Sequence, residues 1–138
     1  MIVYLDSSIV LGMLVNQANK WKDWSCWTKA YSSALLYLEC RRVIDRWHIK
    51  GLFDDARAAQ AGAELRRLQR VVSRVALSRS VIERASLPMP TLVKSLDAIH
   101  LATALMLRER LHPEIIFVTH DGQQANAARA LDFDCIEA

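Results

Sequence analysis

Four carboxylates carry the chemistry open to this chain: Asp6, Glu39, Asp97 and Asp121. Asp6 closes the apolar run Ile2-Val3-Tyr4-Leu5, and Asp121 closes Ile115-Ile116-Phe117-Val118-Thr119-His120. Glu39 and Asp97 lie within helix-like apolar stretches, Ala34–Leu38 and Leu96–Ile99. A carboxylate in such surroundings costs free energy unless something neutralises it. Each has an ordinary explanation when taken alone. Asp6 suits a helix cap, Asp121 a turn before Gly122, Asp97 the first turn of a helix, and Glu39 an ion pair with Arg42. Taken together on one edge, they would form an all-oxygen cage. Such a cage suits Mg²⁺ or Mn²⁺ rather than zinc. These ions activate water and stabilise both oxygens of an in-line attack on phosphorus.

The elements that must position them alternate in type. Residues 2–5 read as a short buried strand, with a helix from Ser7 or Ser8. Residues 28–32 are a candidate second strand. Ser33 is expected to cap a helix from about Ala34 to Lys50, ending near Gly51. Asp54 or Asp55 opens a helix to about Val72, with Ala58, Ala61, Leu65, Leu68 and Val72 as its apolar face. A strand over 74–77 follows, then a short helix capped by Ser78 or Ser80. Ser95 is expected to cap a helix from Leu96 to Arg110, with Ile99, Thr103, Met106 and Leu107 inward and His100 near the polar edge in a structural role. Residues 114–119 read as a buried strand, Gln123–Leu131 as a helix and Phe133–Ile136 as a last strand. This order predicts one α/β domain over 1–138 with a mostly parallel sheet. In such sheets sites lie beyond the carboxyl ends of the strands, so Asp6 and Asp121 fall on one edge.

Composition narrows the field further. Apolar residues make up 52% of 138, enough for a packed core and too many for disorder. No apolar run reaches the ~20 residues of a membrane span. The N-terminus meets Asp6 too soon for a signal peptide, and Cys26, Cys40 and Cys135 form neither a disulfide framework nor a zinc motif. These features point to the cytoplasm. The 18 Lys and Arg stand against 15 Asp and Glu; with the four acids set aside the balance is +7, a field suited to a polyanion. Four glycines make neither a G-x-G-x-x-G fingerprint nor a P-loop, and no G-x-S-x-G elbow occurs. An aspartyl-phosphatase reading requires an acid two residues after Asp6, where Ser8 stands.

Five stretches together resemble the PIN domain, specifically VapC-type toxins of bacterial type II toxin–antitoxin pairs. They are Val3–Ser8, Ser32–Arg42, Leu96–Ala104, Val118–Gly122 and Ala127–Phe133, of which the Leu96–Ala104 stretch is the most specific. The resemblance implies a three-layer α/β/α sandwich and an endoribonuclease dependent on Mg²⁺, with Mn²⁺ as a substitute. It implies that Asp6 and Asp97 are the principal metal ligands, completed by Glu39 and Asp121, with Ser8 and Thr119 assisting. A homodimer and a cognate VapB-type antitoxin whose tail blocks the acidic pocket are implied too. Arg41 and Arg42 are the first candidates for RNA contact. Trp21, Trp24 and Trp27 recur at helical spacing, which suits core or an antitoxin groove. Where the family often has glycine after the last helix, this chain has Asp132-Phe133. The alternatives are an RNA-processing nuclease without antitoxin and a non-catalytic PIN-like module binding RNA or protein.

Overall fold

The computed structural model describes residues 1–16 and 20–138. The chain runs β1 (Ile2–Leu5), α1 (Ser7–Val15), β2 (Lys29–Ser33), α2 (Leu36–Ile49), α3 (Asp55–Val71) and β3 (Val72–Val75). It continues through α4 (Arg79–Ala85), α5 (Ser95–Arg110), β4 (Ile116–Thr119), α6 (Gly122–Ala130) and β5 (Cys135–Glu137). The five strands form one sheet in the order β3-β2-β1-β4-β5, and every pairing is parallel. The expected "mostly parallel" sheet is therefore wholly parallel. Among the described residues, no helix is long and apolar enough to cross a membrane.

The pleat of β1 explains the layers. Alternate side chains point to opposite faces of a strand. Val3 and Leu5 join Ile9, Leu14, Leu36, Cys40 and Leu65, so α1, α2 and α3 cover one face. Tyr4 joins Tyr31, Phe117, Leu101, Leu105 and Ala128, so α5 and α6 cover the other. Helix α4 packs on α5. The result is the three-layer α/β/α sandwich.

Several boundaries depart from expectation for identifiable reasons. Ser33 does not cap α2; it is the last residue of β2, and its Oγ accepts from Leu35 N at 3.1 Å in the turn that follows. The strand expected at 74–77 lies at Val72–Val75, because Val72 leaves α3 and enters the ladder opposite Ala30. Ser95 is the first residue of α5, while Lys94 holds the cap position without a side-chain bond. The expected caps Asp54 and Ser78 do accept, from Arg57 N and Val81 N. Trp21, Trp24 and Trp27 do not share a helical face: residues 22–25 form turns. Trp21 is buried in the core, and Trp24 and Trp27 pack partly against it in a T-shaped pair.

The turn after α6 keeps a glycine-like geometry without glycine. Asp132 adopts φ 63°, in the left-handed region. Phe133 N donates to Ala128 O and Asp132 N to Arg129 O. This double closure is the Schellman arrangement, which usually places glycine at the left-handed position. Burial of the following Phe133 against Phe117 holds the aspartate there.

Candidate active site

The four carboxylates belong to the amino-terminal ends of four helices. Asp6 and Asp121 occupy the cap positions of α1 and α6, and Glu39 and Asp97 lie in the first turns of α2 and α5. The partial positive charge of each helix start favours an acid there. β1 and β4 are neighbouring parallel strands, so Asp6 and Asp121 leave the sheet side by side. Loop and helix geometry alone would satisfy Asp121, whose Oδ1 accepts from Gln123 N and Gln124 N. It does not account for Asp6, whose side chain makes no cap bond.

Asp6 is 3% exposed, and its two oxygens differ. Oδ2 accepts from Ser8 Oγ at 2.7 Å and from Thr119 Oγ1 at 2.8 Å. Those hydroxyls are oriented in turn. Ser8 Oγ accepts from His120 N, and Thr119 Oγ1 accepts from Asp121 N, both at 3.0 Å. Each hydroxyl spends its single proton on Asp6, so the 3.0 Å approach of Ser8 Oγ to Thr119 Oγ1 is a close contact in this arrangement. Oδ1 is buried with no hydrogen-bond partner. A buried, unpartnered carboxylate oxygen is costly and calls for a compensating charge.

Glu39 reaches the same place from α2. Its Oε1 lies 2.7 Å from His100 Nε2, and its Oε2 accepts from Ser7 Oγ at 3.2 Å. The ion pair with Arg42 that would explain Glu39 by itself does not form; Arg42 pairs with Asp45 at 2.5 Å. Asp97 is partly buried, and burial raises its pKa. The negative charges of Asp6, Asp121 and Glu39 raise it further, while His100 pulls it down. All four acids therefore act on one electrostatic neighbourhood.

His100 corrects the sequence reading. It is wholly buried rather than at the polar edge of α5, and Ile99 and Met106, expected inward, are only partly buried. Burial would lower its pKa, yet the bond to Glu39 and the charges of Asp6, Glu39 and Asp97 outweigh burial and raise it. Its signal was its position three residues after Asp97, which puts both on one face of a helix. Tyr4, Ser7 and Gln124 also escaped the sequence reading. Gln124 is buried and donates from Nε2 to Asp97 O at 3.0 Å, tying α6 to the first turn of α5.

Whether these residues suit a cation follows from their donors. Among the described residues, no three His, Cys, Asp or Glu side chains already close on one point as a metal shell. Glu39 is engaged at both oxygens, and Asp6 and Asp121 each at one. The free Oδ1 of Asp6, the like-charge crowding at Asp97 and the all-oxygen donor set nevertheless fit a hard divalent ion. Beside Ser8 and His120 opens a cleft of about 920 Å³, bordered also by Lys20, Trp21 and Lys22.

Two comparisons bear on this arrangement. The PIN domain family model matches residues 3–130. The chain is also 27% identical over 139 aligned positions to the ribonuclease VapC47 of Mycobacterium tuberculosis (strain CDC 1551 / Oshkosh), covering 95% of this chain and 93% of that protein. With the sheet order, the helix-start carboxylates and a family match over nearly its whole length, the chain belongs to the PIN domain family.

Proposed function

We propose that this chain is the toxin component of a VapC-type toxin–antitoxin pair, an endoribonuclease whose divalent ion, Mg²⁺ or Mn²⁺, is held by Asp6 and Asp97. Glu39 and Asp121 complete the site directly or through water. The observation that carries this reading is the buried, unpartnered Oδ1 of Asp6 amid three further carboxylates. Similarity to a protein named a ribonuclease supports RNA as the substrate. The ion would supply an activated water and charge on the phosphate oxygens. The chain's own residues hold the frame: Ser8 and Thr119 fix Asp6, and Gln124 anchors the first turn that presents Asp97. An antitoxin segment covering this pocket, a homodimer and a cytoplasmic location belong to the same reading.

The test incubates the purified protein with total RNA and maps the new ends. Cleavage with Mg²⁺ or Mn²⁺ that disappears with EDTA is expected; RNA left intact under every metal condition removes the enzymatic reading. Co-purification of a small DNA-binding partner would separate a toxin from a processing nuclease.

RNA contact is testable independently of cleavage. Arg41 and Arg42 share one carboxylate, Asp45, at 3.6 and 2.5 Å, leaving net positive charge on α2. Arg66, Arg70 and Arg74 have no side-chain partner among the described residues and add to the field. Replacing Arg42 by alanine in the Asp97→Asn background should weaken binding to all RNA sequences alike. It should also lower the slope of log affinity against log salt by about 0.7, the value for one single-strand phosphate contact. Filter binding at several salt concentrations measures both; an unchanged slope takes Arg42 out of the RNA path.

A further inference from the structure

Resting on that reading of the carboxylate site, we infer that His100 is a positioning residue that, with Tyr4, locks Glu39 into the geometry the ion requires. Three elements meet in this chain of contacts: Tyr4 of β1, His100 of α5 and Glu39 of α2. Tyr4 Oη lies 2.8 Å from His100 Nδ1, and His100 Nε2 lies 2.7 Å from Glu39 Oε1. The tyrosine and histidine side chains are wholly buried, with their rings edge to face at 5.8 Å.

The proton inventory leaves little freedom. An ionised carboxylate only accepts, so Nε2 carries the hydrogen shared with Glu39. Nδ1 then either accepts the phenol proton of Tyr4 or, in the doubly protonated ring, donates to its oxygen. Both ring nitrogens are occupied in either state, so the orientation of the ring does not depend on its charge. Ser7 Oγ holds the other oxygen of Glu39, so the carboxylate cannot swing freely.

The same ring edge faces Asp6. His100 Nε2 is 4.0 Å from Asp6 Oδ1, too far for a hydrogen bond but close enough to set a positive N–H edge between two carboxylates. Without it, Asp6 and Glu39 would face each other with no intervening positive edge. A purely structural histidine would give both ring nitrogens to backbone or to core hydroxyls. This one spends Nε2 on a residue of the proposed site and Nδ1 on the β1 tyrosine two positions before Asp6. Partners that orient metal-binding side chains in this way typically govern metal affinity by 10–100-fold.

The decisive measurement is the Mn²⁺ affinity of the purified protein by titration calorimetry, with urea midpoints reporting folding. His100→Leu, which removes both contacts, should bind Mn²⁺ about 10–100-fold more weakly. His100→Gln keeps a donor near Nε2 and should recover most of that loss; in RNA cleavage its deficit should fall on kcat rather than KM. A folded His100→Leu protein with wild-type Mn²⁺ affinity, or a Gln variant no better than Leu, overturns the inference. Should His100→Leu fail to fold, Tyr4→Phe, which removes one hydroxyl, decides: weakened Mn²⁺ binding supports the inference and unchanged binding overturns it. Wild-type protein that binds no Mn²⁺ would overturn the functional reading instead. What remains of the inference, that His100 positions Glu39, is then decided by the imidazole NMR spectrum of the metal-free protein. A slowly exchanging Nε2–H that is lost in Glu39→Ala is expected there, and a freely exchanging ring proton overturns it.

Discussion

Replacing Asp97 by asparagine is expected to reduce RNA cleavage about 10³-fold, the several kcal/mol that a properly held ion contributes to phosphoryl-transfer transition states. The same substitution should slightly stabilise the metal-free protein. Asp97 has its pKa raised by burial and then by the charges of Asp6, Asp121 and Glu39. A carboxyl whose folded-state pKa lies above its unfolded value contributes stability at low pH. That contribution is lost as pH rises through the folded pKa. Above that folded-state pKa the folded chain bears the full repulsion, and a neutral amide of the same shape relieves it. Water screens a partly exposed group, so the gain is modest, roughly 0.5 kcal/mol, or a rise in Tm of about 2 °C. Activity and thermal melts in EDTA check both halves. An asparagine variant that is inactive and less stable would mean that Asp97 supports the fold rather than the ion.

Phe117→Ala is expected to be the most damaging single truncation in the core, costing about 3–5 kcal/mol and lowering Tm by roughly 15 °C. Phe117 is fully buried on β4, stacked on Tyr4 with ring centroids 5.3 Å apart and an interplanar angle of 16°, and tilted against Phe133 at 5.8 Å. Its loss removes the floor beneath Tyr4 and thus beneath His100. It also removes the packing that keeps Asp132 in the left-handed region. Phe117→Leu retains most of the volume and should cost less than about 1.5 kcal/mol. Urea midpoints of the two variants measure the difference; an alanine variant within 1 kcal/mol of wild type would contradict this account of the core.

The two substitutions test different depths of legibility. Phe117 announces itself in the run Ile115–Val118, because a continuous apolar segment bounded by turn residues has few places to go except a buried strand. Asp97 does not announce itself. Its first-turn position is an ordinary one for a helical acid; in the sequence only the resemblance of the Leu96–Ala104 stretch singles it out, and in space the charges of Asp6, Asp121 and Glu39 do. Ser33 and Ser95 illustrate the limits of cap chemistry. Both residues suit a cap, but the register of β2 against β3 carried Ser33 into the sheet, and α5 began one residue earlier at Ser95. The tryptophans show the same limit for periodicity, since three-residue spacing describes a turn-rich segment as well as a helix.

Alternating apolar runs and helical faces were enough, by themselves, to predict an α/β sandwich with a mostly parallel sheet. The ends of those runs were enough to place Asp6 and Asp121 on one edge, because strand direction and side-chain alternation are local properties of the backbone. What only the tertiary structure decided is the environment of each acid. Asp6 meets Thr119 from 113 positions away, Glu39 meets His100 from 61, and His100 meets Tyr4 from 96. No local propensity encodes those partners; they are chosen when α2 and α5 pack beside β1 and the buried polar groups must be satisfied from whatever side chains packing brings within reach. That selection left one oxygen of Asp6 without a partner, and on that oxygen the proposed ion site rests.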